Sequence, residues 1–171
     1  MYFNRLTRNA VAGMCAWVLA VNVVVARAAP KTLSPALNLV ADSKLSMTNH
    51  QPIVVLVSLP GCPHCESVRI SYLLPLLNES APIDAPIIRQ IELQGKNKMI
   101  DFAGKKITHA EFSRRFQVRL APVVFFFGPN GTQLAEPLVG SMIPDFYGAY
   151  FDAALSKARA QLTQPRTKAS P

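Results

Sequence analysis

Two closely spaced cysteines are the residues of this chain whose type and spacing favour chemistry. They lie in the run PGCPHC over residues 60–65, directly after the apolar segment PIVVLVSL over residues 52–59. A continuous apolar segment of this kind predicts a strand buried on both faces, and the proline and glycine that follow end it. The segment after the second cysteine has the apolar spacing of a helix. A C-x-x-C pair between a buried strand and a helix is typical of a dithiol redox site.

Each residue of the motif has an expected role in thiol chemistry. Cys62 should lie at the helix N-terminus, where free N–H groups and the helix dipole stabilise a thiolate, lower the pKa of the thiol and make it the nucleophile. Pro63 has no N–H to lose in the first helical turn. His64 can add a positive charge or a hydrogen-bond donor that holds the thiolate. Cys65, one turn further on, should be more buried and should act as the resolving thiol, which breaks the mixed disulfide formed with a substrate.

Other uses of Cys62 and Cys65 stay open at this point. A structural zinc site needs about four ligands, and beyond the motif the chain offers only His50 and His109, which we expect on the surface. We therefore expect no metal site of that kind. Two soft thiolates could carry Cu(I), which would make the protein a binding module. An inert disulfide is a third use, although closing so short a loop removes little entropy from the unfolded chain.

The first 28 residues have the pattern of a secretory signal peptide. Arg5 and Arg8 precede an apolar run over residues 10–26, and Ala26-Arg27-Ala28 then fits a small-x-small cleavage site. We expect cleavage after residue 28 and export to the periplasm, an oxidising compartment that permits disulfides. An uncleaved anchor in the inner membrane, facing the periplasm, is the alternative, since a spanning helix needs about 20 apolar residues.

The net charge of +8 does not indicate nucleic-acid binding. Most of the excess positive charge lies in the leader and after Ser156, and residues 29–156 are nearly neutral. A nucleic-acid site requires basic residues clustered on one face, so we expect no nucleic-acid partner. The length predicts one domain, over residues 29–160, and we expect a monomer. Residues 161–171 have the composition of a disordered basic tail.

Hydrophobic patterning predicts alternating helices and strands. The predicted helices span residues 31–49, 62–77, 108–116 and 144–160. The predicted strands span residues 52–59, 86–93, 123–127 and 132–139, with a loop at 94–106. A parallel βαβ unit followed by a hairpin gives an α/β fold, in which helices cover both faces of a mixed sheet.

Local signals mark where these helices begin and end. Ser34-Pro35 suits the start of the first helix, and Thr108 with Glu111 matches a capping box at the start of the third. Ser141 is the predicted cap of the last helix. Pro75 should kink or end the second helix, because proline cannot donate the helical hydrogen bond.

Three motifs in order resemble the thioredoxin superfamily. They are VVLVSLPGCPHC at residues 54–65, RLAPV at 119–123 leading into VVFFF and a Pro-Asn-Gly turn, and LVG at 138–140. Over residues 34–160 the chain is most similar to exported bacterial thioredoxin-like proteins of sulfur-oxidation and cytochrome c maturation systems. The resemblance implies a thioredoxin fold with a mixed sheet of four to five strands. It also implies that Pro122 is the family's cis-proline facing the dithiol, where with Ala121 it presents backbone to a substrate strand.

The same resemblance implies a protein thiol–disulfide oxidoreductase without a bound cofactor. Its substrates would be cysteines and disulfides of other proteins, and a membrane redox partner would recycle it. A thioredoxin-fold domain docked on a partner for structural reasons, needing neither cysteine, is an alternative.

The sequence departs from the family at two positions that bear on mechanism. Gly61 stands where a tryptophan is usual. Leu56 stands where many thioredoxins keep a buried acid that assists proton transfer from the resolving thiol, so another group or water must do so here. Glu66 is one candidate, but we expect it to be a solvent-facing helix residue.

The direction of electron transfer stays open. Cys-Pro-His-Cys is the pattern of strongly oxidising periplasmic disulfide-forming enzymes, but those proteins carry a helical insertion between the motif and the cis-proline. The segment between Cys65 and Pro122 is too short to hold that insertion. We expect a reductase, with a disulfide-forming oxidase as the alternative.

Overall fold

The computed structural model describes residues 32–79, 83–141 and 144–163. Its elements follow one another as α1 (Leu39–Asn49), β1 (Ile53–Ser58), α2 (Pro63–Val68), a π-helical turn (Arg69–Leu73), α3 (Leu74–Glu79), β2 (Ile87–Glu92), β3 (Lys98–Ile100), β4 (Lys106–Thr108), α4 (His109–Arg115), β5 (Val123–Phe127), β6 (Leu138–Val139) and α5 (Pro144–Thr163). The predicted signal peptide and residues 164–171 of the predicted tail lie outside the described residues, so both stay predictions. None of the helices in these three ranges combines the length and the apolar character that a membrane span needs.

Four strands form a mixed sheet in the order β2-β1-β5-β6. β1 runs parallel to β2 and antiparallel to β5, and β6 pairs antiparallel with the far side of β5. The predicted α/β fold with a mixed sheet is confirmed, with four strands in the main sheet over the described ranges. The connection from β1 to β2 passes through the helical segment that begins at the cysteine motif.

Helices cover both faces of this sheet, which explains why β1 is buried at every position. Val54 and Leu56 face the side covered by α5, where Tyr147 and Phe151 lie in the same apolar cluster. The alternate residues of β1 face the opposite side, which α1, α4 and the β3–β4 hairpin cover. A strand buried on both faces must be apolar throughout, because every side chain leaves water.

The first helix begins later than the sequence predicts. The N–H of Ala36 donates to the carbonyl of Gln90 at 2.9 Å, and the N–H of Gln90 donates to the carbonyl of Ser34 at 2.9 Å. The prediction that Ser34-Pro35 starts a helix is therefore wrong, and α1 begins at Leu39 with Asn38 as its cap. This extended segment supplies hydrogen-bond partners to the outer edge of β2. Local helix propensity cannot reveal such a long-range pairing.

One loop prediction and one strand prediction also need correction. The predicted loop at residues 94–106 contains β3 and leads into β4, and these pair as a hairpin that buries Met99 and Ile107. Each strand is three residues long, too short to produce a recognisable alternation. The predicted strand at 132–139 is reduced to β6, since Pro137 just before it cannot donate a ladder hydrogen bond.

The helix after the motif continues past Pro75 instead of ending there. Across the preceding π-helical turn, the N–H of Leu74 bonds to the carbonyl of Arg69, five residues back. The wider turn accommodates a proline ring that would crowd the carbonyl four residues earlier in a regular helix. At the other end of the fold, α5 extends to Thr163, three residues into the predicted tail.

The predicted capping box of α4 is confirmed by reciprocal hydrogen bonds between Thr108 and Glu111. The expectation that His109 lies on the surface is wrong, since this residue is 1% exposed. Its Nδ1 accepts the N–H of Glu92 at 3.2 Å, so its Nε2 donates to the carbonyl of Ala36 at 3.0 Å. His109 thereby links the extended segment that contains Ala36 to the end of β2. His50, by contrast, is exposed as expected.

The hydroxyl of Tyr147 provides a test of the packing between α5 and the sheet. It is buried with no hydrogen-bond partner among the described residues, and burial raises the pKa of this phenol above its usual range. Tyr147→Phe removes a desolvated group that no bond compensates, so we expect the free energy of unfolding to stay unchanged or rise by up to about 1–2 kcal/mol. Denaturant unfolding measures the difference.

The exposed Tyr150 is the matched control on the same helix. Tyr150→Phe should change stability by less than about 0.5 kcal/mol. A loss of more than about 1 kcal/mol in Tyr147→Phe alone would show that the hydroxyl has a partner and contradict this interpretation.

Candidate active site

The cysteine motif is positioned by the end of β1 and the start of α2. After Ser58 the chain makes a turn in which Gly61 has a φ of +67°, a left-handed conformation that favours glycine. A bulky aromatic residue at this position would be strained in that backbone. Cys62 follows in extended conformation as the residue that caps α2, and Pro63 occupies the first turn.

The two sulfurs lie in different environments. Cys62 and Cys65 form a disulfide with their Cα atoms 5.3 Å apart, and the N–H of Cys65 donates to the Sγ of Cys62 at 3.1 Å. Cys62 is half-buried, whereas Cys65 is only 5% exposed. A substrate sulfur approaching from solvent therefore meets Cys62 first. This is the expected asymmetry between an attacking and a resolving thiol.

His64 lies exposed in the first turn of α2, and its Nδ1 is 3.1 Å from the Oγ of Ser141. Residues 142 and 143, between Ser141 and the first described residue of α5, lie outside the described residues, so the predicted capping role of Ser141 stays a prediction. Its hydroxyl can donate to a neutral imidazole or accept from a protonated one, so the contact suits either charge state of the ring. Sequence reasoning missed this partner because 77 positions separate the two residues and no local pattern links them.

The Ala121–Pro122 peptide bond is cis, as the resemblance implies. Val123, the first residue of β5, pairs with Val57 near the C-terminal end of β1. Pro122 therefore lies at the same end of the strands as the cysteine motif. The carbonyl of Pro122 accepts the N–H of Gly140 at 2.8 Å. The loop after β6 therefore contacts the cis-proline through Gly140 and the motif through Ser141.

A cavity of about 420 Å³ lies against the disulfide. Its wall includes both cysteines together with Leu56, Ser58, Glu66, Arg69 and Gln90. Leu56 is apolar and fully buried, so β1 provides no acidic side chain beside the two sulfurs. The polar groups that line the cavity are the Ser58 hydroxyl, the Gln90 amide and the Glu66–Arg69 ion pair.

Metal binding by a larger group of ligands finds no support in the described ranges. Within residues 32–79, 83–141 and 144–163, no three His, Cys, Asp or Glu side chains come together in a cluster that could hold an ion. His109, the histidine buried in the core, has both ring nitrogens engaged with backbone groups.

Three solved structures to which the chain is similar come from poplar and from two bacteria. The chain is similar to a wild-type thioredoxin h from poplar, with 17% identity, a TM-score of 0.45, and coverage of 70% of this chain and 96% of that one. It is similar to a thioredoxin-fold protein from Helicobacter pylori, with 15% identity, a TM-score of 0.42, and coverage of 67% and 83%. A third is the oxidised C-terminal domain of DsbD from Neisseria meningitidis, with 18% identity, a TM-score of 0.45, and coverage of 71% and 99%. No curated protein matches the sequence.

A family model described as a thioredoxin-like domain matches residues 39–155, which is more than half of the chain. The matched region includes every strand of the main sheet, the cis-proline and both cysteines of the motif. The chain belongs to the thioredoxin-like family, and its Cys62–Cys65 pair has the spacing and the strand-to-helix position of the dithiol in that family's thiol–disulfide oxidoreductases.

Proposed function

We propose that this protein exchanges its Cys62–Cys65 dithiol with the cysteines of protein substrates in the periplasm, and that it acts there as a reductase. The observation that carries the proposal is the disulfide itself, in which a half-buried sulfur caps a helix and is bonded to a buried one. The sulfur of Cys62 is accessible to a substrate, and the sulfur of Cys65 is buried within bonding distance of it, as a two-step exchange requires.

In the first step, the Cys62 thiolate attacks one sulfur of a substrate disulfide. The substrate S–S bond breaks, the displaced sulfur leaves as a thiolate and takes up a proton, and a mixed disulfide joins Cys62 to the substrate. In the second step, Cys65 loses its proton and attacks Cys62. The bond to the substrate breaks, the second substrate sulfur leaves as a thiolate and is protonated, and the Cys62–Cys65 disulfide forms. Two electrons thus pass to the substrate, and a membrane redox partner would return two.

The position of Cys62 favours the thiolate that starts this sequence. The first N–H groups of a helix have no helical partner, and together with the dipole they stabilise a negative charge at the cap. The N–H of Cys65 already points at the Cys62 sulfur in the oxidised state. His64 adjoins the nucleophile in the chain, and we assign it the role of tuning that sulfur.

Ala121 and Pro122 are assigned to substrate binding in this proposal. The register between β1 and β5 brings Ala121 and Pro122 to the same end of the strands as the motif. A substrate segment bound against this backbone would hold its sulfur near Cys62. Pro122 has no N–H, so its nitrogen cannot donate a hydrogen bond to a neighbouring strand of the protein itself.

Reductase activity is supported by what lies between the motif and the cis-proline. The described residues of this region hold α2, the π-helical turn, α3, β2, the β3–β4 hairpin and α4, all part of the basic fold or its short connections. The helical insertion of the disulfide-forming enzymes is absent from these residues.

The two cysteines give the direct test of the exchange reaction. Cys62→Ser should reduce insulin-disulfide reduction to background, because the attacking sulfur is lost. Cys65→Ser should trap mixed disulfides with substrates, because the resolving sulfur is lost. Ser67→Ala, at an exposed position of α2, is the control and should retain full activity. Wild-type activity in Cys62→Ser would refute the proposed reaction.

The redox potential of the mature domain decides the direction. Thioredoxin lies near about −270 mV and the strongest periplasmic oxidant near about −120 mV. We expect a value closer to the first, measured by equilibration with glutathione or dithiothreitol buffers. A potential at the oxidising end would make the protein a disulfide-forming oxidase while leaving the exchange chemistry intact.

The hydrogen bond between Ser141 and His64 should contribute to that potential. It is present in the oxidised protein, so it stabilises the disulfide form unless the reduced form keeps it at equal strength. We expect Ser141→Ala to raise the potential by about 10–30 mV, the equivalent of one ordinary hydrogen bond. Ser141→Thr keeps the hydroxyl and should stay near the wild-type value.

His64→Ala provides the second arm of a double-mutant cycle. If Ser141 acts through the imidazole, Ser141→Ala should have no further effect on the potential in the His64→Ala background. An equal shift in both backgrounds would show that Ser141 acts independently of His64.

A further inference from the structure

The resolving step requires a route for a proton out of the protein interior. Cys65 is 5% exposed, yet it must lose its proton before it can attack the mixed disulfide at Cys62. We propose that Glu66 receives this proton through water held in the cavity beneath the motif. The inference rests on the thiol–disulfide exchange proposed above.

The cavity has the size and the lining of a water-filled site. Its volume of about 420 Å³ is many times that of one water molecule, and Cys65 is part of its wall. On the sheet side, the Nε2 of Gln90 donates to the hydroxyl of Ser58 at 2.9 Å. Ser58 is the one polar residue of an otherwise apolar β1, and it faces this space. Polar partners of this kind hold water, whereas a cavity lined only by apolar groups stays dry.

Glu66 is the carboxylate among the described residues that line the cavity. The buried strand contributes Leu56 at this level, which can neither accept nor donate a proton. Glu66 directly follows Cys65 in the chain, and its side chain is 48% exposed, so it borders both the cavity and bulk solvent. A proton that the carboxylate accepts from the cavity can therefore be released to bulk solvent.

Arg69 holds this carboxylate at the cavity. The two side chains form an ion pair at the i, i+3 spacing of α2 and the following turn, and Arg69 is 20% exposed. Because Arg69 also lines the cavity, its positive charge favours the thiolate that forms on Cys65. The pair keeps Glu66 from turning away into solvent, so Arg69 acts as a positioning residue.

The proposed step conserves atoms and charge. The proton leaves the Cys65 sulfur for a cavity water, which passes a proton to the Glu66 carboxylate. The Cys65 thiolate attacks the Cys62 sulfur, the Cys62–Cys65 bond forms, and the bond to the substrate breaks. The electron pair leaves with the substrate sulfur, which is protonated by solvent, and Glu66 returns its proton to solvent. In the reverse direction, Glu66 supplies the proton to the departing Cys65.

Glu66→Gln tests this route in a single-turnover reaction quenched by acid. Formation of the mixed disulfide should proceed at the wild-type rate, because it does not involve Cys65. Resolution should slow about tenfold or more at neutral pH, so that mixed disulfide accumulates. The difference from wild type should shrink as the pH rises, because hydroxide then takes the proton. Glu66→Asp should recover part of the rate.

Two further variants separate proton transfer from structural effects. Glu136→Gln removes an exposed carboxylate outside the cavity wall and should resolve at the wild-type rate. Arg69→Gln removes the residue that holds the carboxylate but leaves the carboxylate itself, and should slow resolution less than Glu66→Gln does. Equal slowing in Glu66→Gln and Arg69→Gln, with no dependence on pH, would overturn the proposal.

Failure of this inference is distinguishable from failure of the proposed function. If the protein performs no exchange, no mixed disulfide will form even in Cys65→Ser. If the exchange occurs but Glu66 is not the acceptor, mixed disulfide will form and Glu66→Gln will resolve it at the wild-type rate.

Discussion

The burial of β1 on both faces is the constraint on which the site depends. This strand pairs with β2 on one side and β5 on the other, and it ends at the turn that carries the cysteines. The N–H of Leu93 donates to the carbonyl of Ser58 at 2.8 Å, so the ladder extends to the last residue before that turn. A reactive loop attached to the most buried strand has little freedom to move. The same strand, through β5, fixes the level of Pro122 relative to the motif.

That constraint also produces the asymmetry between the two sulfurs. Cys62 caps the helix at the surface, while Cys65 is carried one turn inward, toward the apolar side of the sheet that holds Leu56. In the proposed exchange, this burial protects Cys65 from outside reagents, but it also limits the contact with water that could take the proton of the thiol. The cavity with its polar wall would resolve this conflict in the proposed exchange, because Cys65 is part of its wall.

Features encoded in a few adjacent residues could be predicted from the sequence. The apolar run of β1, the position of Cys62 before a helix and the Thr108–Glu111 capping box depend on neighbouring residues, and the structure has all of them.

Features that depend on distant partners could not be predicted. The segment at residues 32–38 is extended because Gln90 offers it hydrogen bonds, although Ser34-Pro35 is a good local helix start. His109 is buried because two backbone groups from separate parts of the chain meet at its ring. In each case a long-range hydrogen bond outweighs a local preference of a few tenths of a kcal/mol to about 1 kcal/mol.

The same reasoning applies to the redox properties of the motif. A redox potential measures the difference in stability between the disulfide and dithiol forms, so the dipeptide between the cysteines contributes only through contacts that differ between them. The imidazole of His64 is not free in the oxidised protein, because Ser141 from the loop before α5 lies against it. That loop also holds Pro122 through Gly140. The Ser141 contact is worth only a fraction of the difference between a reductant and an oxidant, so the identity of the two residues between the cysteines does not by itself fix the direction of exchange, which depends on the sum of the contacts that the fold makes with the disulfide and dithiol forms.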